Sequence, residues 1–192
     1  LNNFLNLIEN NNIDILEIHN RPHYIDYLGK LKNIKKILFF HNDPLKMQGS
    51  ISVKERLNLL DKNDKIIFNS KWSKSQFLIS LPKNIETNKI KVIPQSTSKV
   101  NINFKNKKKI ISFVGKLNSS KGYDIFGEAI IKILDKYPDW ESIVIGDEPR
   151  EKFTFYHKNL KLLGYKNNNY ILNKLKSVSV AVVPSKWDEP FG

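Results

Sequence analysis

The feature that most constrains the fold is a regular alternation of two kinds of segment along the chain. Short apolar runs of strand length alternate with amphipathic runs of helix length. This pattern predicts parallel strands covered by helices, and hence an α/β protein, because a helix between two strands lets both run in the same direction. The predicted strands are Ile13–Ile18, Lys36–Phe40, Lys65–Phe68, Ile90–Ile93, Ile110–Val114, Ser142–Ile145, Leu160–Leu163 and Val178–Val183. The predicted helices are Leu1–Glu9, Pro22–Leu31, Val53–Leu60, Trp72–Ser80 and Tyr123–Lys136.

A polar segment interrupts this alternation near the middle of the chain. Residues 95–108 are rich in Ser, Asn and Lys and follow no helical or strand period, which is typical of a linker. The sequence therefore predicts one Rossmann-like domain over residues 1–94, the linker, and a second Rossmann-like domain over residues 109–192. A length of 192 residues is enough for two small domains with real cores.

Composition excludes several classes of protein. No run of about 18 apolar residues is present, so no transmembrane helix is expected. The absence of cysteine excludes disulfides and thiolate metal sites and is compatible with the cytoplasm. Because Met47 is the only methionine and Leu1 already falls within a predicted helix, we expect the chain to be a fragment.

The formal charge of +13 suggests an anionic partner, either nucleic acid or a membrane surface. Only Arg21, Arg56 and Arg150 among the 32 basic residues are arginines, and the longest clustered run is Lys107–Lys109. No aromatic nucleic-acid-reading motif accompanies that run. We therefore expect solvated lysines, with weak attraction to an anionic membrane as one alternative and nucleic-acid binding as another.

The segment from Gly115 to Gly122 lies between a predicted strand and a predicted helix. In an open α/β sheet such a turn lies at the carboxyl edge, where ligands bind near the free amides of a helix N-terminus. Lys116 and Lys121 on this loop are suited to a diphosphate; a tight turn with two solvated lysines is the alternative. The loop does not match the P-loop pattern, and no GxGxxG string occurs, which argues against a nicotinamide dehydrogenase.

The last ten residues, Val183 to Gly192, also follow a predicted strand and form a second candidate ligand edge. Glu189 can accept hydrogen bonds from sugar hydroxyls, and backbone amides near Phe191 and Gly192 can approach a polar ligand. Ordinary loop charge is the alternative for Asp188 and Glu189.

Taken together, these strings resemble glycosyltransferase family 4, whose members have the GT-B fold of two facing Rossmann-like domains. The matching strings are Phe113–Leu117 with Lys121–Gly122, Ile143–Asp147, Leu162–Gly164, and Pro184–Ser185 with Glu189–Gly192. Each string alone is weak, but their order and spacing fit along nearly the whole second half. The resemblance implies that both GT-B domains are incomplete in this chain.

The resemblance also implies roles for individual residues. Gly115, Lys116 and Lys121 would hold the donor diphosphate, and Glu189 would be the first glutamate of the family's E-x7-E motif, beside the donor sugar. The second glutamate is expected eight positions after Glu189. Further donor contacts are implied for Pro190, Phe191 and Gly192 on the sugar side and for Gly146, Asp147 and Gly164 on the nucleotide side. Two departures are that the family more often has arginine where Lys116 stands, and that its usual Pro-Asn-Gly reads Pro94-Gln95-Ser96 here.

In the first half, His41 follows a predicted strand, where a side chain would face a cleft. A lone histidine is often only a structural hydrogen-bonding residue, but the resemblance implies that His41 faces the donor sugar as a catalytic residue. The string His19-Asn20-Arg21 ends the preceding strand and is expected to line the acceptor side.

The reaction implied by the resemblance is retaining transfer of a hexose from a nucleotide-diphosphate sugar, without a bound metal or other cofactor. Glycan or lipid-linked acceptors in lipopolysaccharide and other surface polysaccharide synthesis are typical of the family, which would place the protein in the cytoplasm, peripheral to the inner membrane face. Two alternatives stay open: a sugar-nucleotide epimerase of the same fold and a non-catalytic sugar- or nucleotide-binding module.

Overall fold

The computed structural model describes residues 2–31, 33–96 and 101–190. The chain divides into two compact units, one of residues 1–97 with 189–192 and one of residues 98–188. Each unit contains one four-stranded sheet in which every pair of neighbouring strands is parallel. The predicted α/β class is therefore confirmed, while the predicted domain boundaries stay predictions.

The sheet of the first unit follows the order of the chain, β1-β2-β3-β4. Its strands are β1 (Ile15–His19), β2 (Lys35–Phe40), β3 (Lys65–Phe68) and β4 (Ile90–Val92). The helices are α1 (Asn2–Asn10), α2 (Ile25–Leu28), α3 (Val53–Lys62) and α4 (Lys71–Leu78). Side chains alternate between buried and less buried along β2 and β3, so Phe40, Phe68 and Phe77 of α4 form an aromatic core.

Local sequence sets the start of α3 and the end of α2. A capping box is present at the start of α3, since the Ser52 hydroxyl accepts from the Glu55 amide and the Glu55 carboxylate accepts from the Ser52 amide. The predicted helix over Pro22–Leu31 was too long. It is a 3₁₀ helix at Pro22–Tyr24 followed by the four residues of α2, and Gly29, a poor helix former, stands at the C-cap.

The sheet of the second unit has the order β7-β6-β5-β8. Its strands are β5 (Lys108–Val114), β6 (Glu141–Ile145), β7 (Leu160–Leu162) and β8 (Val178–Val182). The chain proceeds from β5 to β6 and β7 on one side and then returns to place β8 on the other side. The strand order therefore reverses at β5, and in parallel sheets such a point opens a crevice at the carboxyl edge.

Two helices, α5 (Tyr123–Lys136) and α6 (Asn168–Leu175), belong to the second unit. The predicted helix α5 is confirmed, and Tyr123, Phe126, Ile130 and Leu134 form its buried stripe. Helix α6 was not predicted, because its asparagine-rich sequence has low helix propensity and none of its residues is fully buried. Among the described residues, no helix is both long and apolar enough to cross a membrane.

Candidate functional site

The loop after β5 connects the central strand of the second sheet to α5. It contains a 3₁₀ helix at Ser119–Lys121, whose N-cap Asn118 accepts a hydrogen bond from the Lys121 amide at 3.0 Å. Gly122 then adopts a left-handed conformation, φ +72°, and is the N-cap of α5. Lys116 and Lys121 therefore both lie at the carboxyl edge of β5, as predicted.

The loop after β8 packs directly on this first loop, because β8 is paired with β5. A Cβ atom on Gly122 would lie 2.0 Å from the Pro184 carbonyl oxygen, so only glycine fits between the loops. The Lys186 amide donates to the Ser120 carbonyl at 3.0 Å, and the Lys186 ammonium pairs with Asp124. The hydrogen bond from the Lys186 ammonium is the main reason that the pKa of Asp124 lies below its ordinary value.

Trp187 belongs to this site although sequence analysis did not identify it. The Lys121 ammonium nitrogen lies 4.8 Å from the centroid of the Trp187 ring, a cation–π distance. The ring thus helps to orient one of the two predicted diphosphate-binding lysines. No signal in the sequence joins the two residues, because they meet only through the pairing of β5 with β8.

The predicted nucleotide-side loops adjoin the same edge. Gly146 follows β6, and a Cβ atom there would lie 1.8 Å from the Gly115 carbonyl oxygen, so these two loops are in close contact. The Gly146 amide donates to the Gly164 carbonyl at 3.0 Å. A cavity of ≈ 240 Å³ lies beside the three loops. It is lined by Val114, Gly115, Lys116, Ile145, Gly146, Asp147, Tyr165, Lys166 and Ile171.

Two acidic residues after β6 stabilise the same region and were not predicted. The Glu151 carboxylate accepts from the amide and hydroxyl of Ser119, both at 2.9 Å, and so anchors the 3₁₀ helix of the lysine loop. The side chain of Glu148 is buried and forms a two-point ion pair with Arg150, 2.7 and 2.8 Å. Hydrogen bonding to Arg150, with a smaller contribution from Lys116, holds the pKa of Glu148 at about 2. Gly146 and Asp147 were predicted from this string, whereas the acids that follow them were not.

Glu189 and Pro190 lie at the end of the described chain. Glu189 is half-buried, Pro190 is buried, and both group with the first unit. Phe191 and Gly192 lie outside the described residues. The predicted contacts of this string with a donor sugar therefore stay predictions.

In the first unit, the two predicted histidines lie side by side at the carboxyl edge of the sheet. His19 Nδ1 and His41 Nε2 are 3.0 Å apart, and the rings are stacked with an interplanar angle of 5°. Burial, and next the neighbouring His19, lower the pKa of His41, which is therefore neutral at neutral pH. A cavity of ≈ 300 Å³ is bordered by both histidines and by Gln95 and Ser96.

Asn20 and Arg21 hold the backbone beside these histidines. Asn20 adopts a left-handed φ of 52°, and its Oδ1 accepts from the His41 amide at 2.8 Å. Arg21 donates to the Asn20 carbonyl at 2.8 Å. Arg21 also borders two further cavities, one of ≈ 350 Å³ shared with His19 and one of ≈ 290 Å³ shared with Asn20. Their predicted acceptor-side role stays a prediction.

No group of three or more His, Asp or Glu residues within the described part of the chain is arranged to hold a metal ion. The expectation of metal-independent chemistry stays a prediction.

Comparison with solved structures identifies similar folds at low sequence identity. A structure of TarM matches with a TM-score of 0.66 and 15% identity over 91% of this chain and 37% of TarM. The lipopolysaccharide outer core galactosyltransferase WaaB matches with a TM-score of 0.60 and 15% identity over 98% of this chain and 54% of WaaB. An E. coli trehalose-6-phosphate structure bound with UDP-2-fluoro glucose matches with a TM-score of 0.62 and 16% identity, over 96% and 55% of the respective chains.

The structural matches confirm the predicted GT-B class of fold. The chain spans between 37% and 55% of the length of these three neighbours. A search of curated protein sequences found no match. The sequence profile of glycosyl transferases group 1 matches residues 94–192, the half that contains the lysine loop and the loops around it. The chain therefore belongs to the glycosyl transferases group 1 family.

Proposed function

We propose that this chain binds a nucleotide-diphosphate sugar through the second unit, for retaining transfer of the hexose to a glycan or lipid-linked acceptor in cell-surface polysaccharide synthesis. The observation that carries the proposal is the meeting of Lys116, Lys121 and the N-terminus of α5 at the point where the strand order reverses at β5. Family membership supports glycosyl transfer, and the bound UDP sugar of the E. coli neighbour supports the class of donor.

The chemistry of such a transfer explains why two cations are needed at this edge. As the bond between sugar and phosphate breaks, negative charge accumulates on the departing diphosphate while the sugar becomes oxocarbenium-like. Fixed cations and the amides of a helix N-terminus stabilise that charge because they are oriented before the reaction. Lys116 and Lys121 supply the cations in this proposal, and Trp187 restrains Lys121.

The sugar itself is assigned to residues outside this lysine loop. In the proposal, Glu189 accepts hydrogen bonds from sugar hydroxyls, and His41 is also assigned to the donor sugar. Arg21 and the ≈ 350 Å³ cavity that it borders are assigned to the acceptor.

Binding measurements on the 192-residue chain test the donor site. Calorimetric titration with UDP, GDP and ADP and with their hexose conjugates identifies the donor class. For the nucleotide that binds, Lys121→Ala and Lys116→Ala should each weaken binding by roughly 10- to 100-fold, because each removes a hydrogen bond to a charged group. Lys132→Ala, an exposed lysine on α5, is the matched control and should bind within about twofold of the wild type. Unchanged affinity in Lys121→Ala would refute the assignment of the diphosphate.

Product analysis tests the reaction. Removing one of the lysine contacts is expected to raise the barrier to transfer by about 2–4 kcal/mol, seen as a fall in kcat/KM. Proton NMR of the product distinguishes retention from inversion at the anomeric carbon. A product in which the sugar is epimerised but still bound to nucleotide would instead indicate an epimerase.

We further propose that the reaction proceeds without a metal and that the protein acts in the cytoplasm, peripheral to an anionic membrane face. The lysines and helix N-terminus take the role that a divalent ion would otherwise have, so EDTA should leave turnover within about twofold. The charge of +13 supports attraction to anionic lipid. Co-sedimentation with phosphatidylglycerol vesicles, but not with phosphatidylcholine vesicles, tests that attraction.

A further inference from the structure

Four side chains of the first unit form a continuous hydrogen-bonded row, here called the imidazole row: Glu17, His19, His41 and Gln95. Glu17 Oε2 lies 3.3 Å from His19 Nε2. His19 Nδ1 lies 3.0 Å from His41 Nε2, and His41 Nδ1 lies 3.2 Å from the amide nitrogen of Gln95. Every ring nitrogen of the two histidines therefore has one partner in the row.

The ends of the row determine where its protons lie. A carboxylate only accepts hydrogen bonds, so His19 Nε2 must carry a proton toward Glu17. A neutral imidazole has one N–H group, so His19 Nδ1 is an acceptor and His41 Nε2 must donate to it. His41 Nδ1 is then an acceptor, which matches the amide NH₂ group that Gln95 directs toward it.

The surroundings of the row hold the rings in place and keep His41 neutral. The backbone of His41 is fixed on both sides, since its amide donates to Asn20 and its carbonyl accepts from the Asn69 side chain. Burial lowers the pKa of His41, and His19 adds to that effect. Glu17, Arg21 and Tyr24 are the titratable groups that border the cavity next to His19.

We propose that Glu17 and His19 are positioning residues that hold His41 in its Nε2-protonated tautomer, so that Nδ1 presents a lone pair to a hydroxyl of the bound sugar. His41 lines the ≈ 300 Å³ cavity together with the partners of both of its ring nitrogens, Gln95 at Nδ1 and His19 at Nε2. The amide of Gln95 donates to Nδ1 when no sugar is bound, and the sugar hydroxyl replaces that donor. The role of the sugar rests on the proposed function, whereas the placement of the protons does not.

One substitution at the Glu17 end of the row reverses the direction in which its hydrogen bonds are donated. If a donor replaces the carboxylate of Glu17, His19 Nε2 becomes the acceptor and His19 Nδ1 must donate to His41 Nε2. The proton of His41 then moves to Nδ1, and a rotated Gln95 amide accepts it through its oxygen. Glu17→Lys supplies such a donor, while Glu17→Gln can keep an acceptor oxygen in place.

Imidazole ¹⁵N chemical shifts of the ligand-free 192-residue chain test the proton placement. The spectra are recorded near about pH 8, above the ordinary histidine pKa of about 6.5, and the four histidines are assigned by single His→Gln substitutions. We expect His41 to be mainly Nε2-protonated in the wild type and in Glu17→Gln. In Glu17→Lys the Nδ1-protonated fraction should rise by roughly threefold or more.

Glu86→Lys is the matched control, because Glu86 is an exposed glutamate of the same unit. Its replacement by lysine changes the charge by the same amount as Glu17→Lys. It should leave the His41 tautomer unchanged. A wild-type His41 protonated on Nδ1, or identical His41 shifts in the wild type and Glu17→Lys, would overturn the proposal.

Titration with UDP-glucose and with UDP tests the sugar contact separately. Glu17→Lys should weaken binding of UDP-glucose by roughly 3- to 10-fold, the effect of one hydrogen bond, and leave binding of UDP unchanged. Equal affinities of Glu17→Lys and the wild type for UDP-glucose would overturn the sugar role of Nδ1. A chain that binds none of UDP, GDP, ADP and their hexose conjugates would count against the proposed function alone, since the tautomer comparison needs no ligand.

Discussion

Replacing Gly122 with alanine should destabilise the second unit through the contact between the loops after β5 and β8. The added Cβ atom would lie 2.0 Å from the Pro184 carbonyl oxygen, far inside van der Waals contact. The partner atom belongs to the backbone, so no side-chain rotation relieves the clash. The loop after β8 must move away, which also breaks the hydrogen bond between Lys186 and Ser120.

The magnitude follows from two contributions. A left-handed φ of +72° costs an alanine about 1–2 kcal/mol relative to glycine. Overpacking against the Pro184 backbone adds about 1–3 kcal/mol. Gly122→Ala should therefore lower the free energy of unfolding by about 2–5 kcal/mol in total. Gly164 is a matched control, because its φ is +66° and an added Cβ would meet nothing within 4 Å. Gly164→Ala should lower the free energy by about 1–2 kcal/mol only.

Urea unfolding followed by tryptophan fluorescence measures this difference. Trp72 lies in the first unit, so a Trp72→Phe background leaves Trp140 and Trp187 to report on the second. Both glycine variants should show the m-value of that background and a lower midpoint. Free energies of unfolding within about 0.5 kcal/mol of each other in the two variants would show that the clash with Pro184 does not destabilise the second unit.

Three further perturbations test other parts of the fold. Arg56 is buried and donates to two backbone carbonyls of α4. Because these buried acceptors lose their partner in Arg56→Met, that variant should lower the free energy of unfolding in urea by about 2–4 kcal/mol. A loss below about 1 kcal/mol would contradict this. Ser52→Ala removes the capping box of α3 and should cost about 1 kcal/mol, whereas Ser52→Thr should restore most of it. The pKa of Glu148, about 2 against an ordinary 4.5, means that its carboxylate stabilises the fold above pH 4.5 and loses that effect as the pH falls toward 2. Thermal unfolding across this range should depend less on pH in Arg150→Ala than in the wild type, and equal slopes would refute the role of the ion pair.

Strands and the lysine loop were predictable because their signals are local. A buried strand such as β5 has a run of apolar residues, and the glycines at its end mark the turn that follows. Helix α6 was not predictable in this way, since its stability depends on packing against β8 rather than on its own asparagine-rich sequence. The predicted roles of Glu189 and Pro190 came from motif spacing, which does not indicate where their side chains lie in three dimensions.

The contacts that complete the two candidate sites depend on strand register, which no local motif in the sequence indicates. His19 is paired with Phe39 across β1 and β2, and His41 stands two positions beyond Phe39 on the same side of the strand. The three rings consequently stack, and His19 reaches His41. His41 was predicted on the donor side and His19 on the acceptor side. In the structure the two histidines are direct hydrogen-bonding neighbours.

The pairing of β8 with β5 also determines when the lysine loop acquires its final form during synthesis. Lys108 and Ser179, which are hydrogen-bonded across these strands, are 71 residues apart in the chain. At a translation rate of about 5–20 residues per second, β8 follows β5 from the ribosome by about 4–14 seconds. During that interval the nascent chain has an exposed apolar strand edge and no Trp187 beside Lys121. The lysine loop therefore reaches its final form only after β8 has paired with β5, and the edge of β5 is exposed until then.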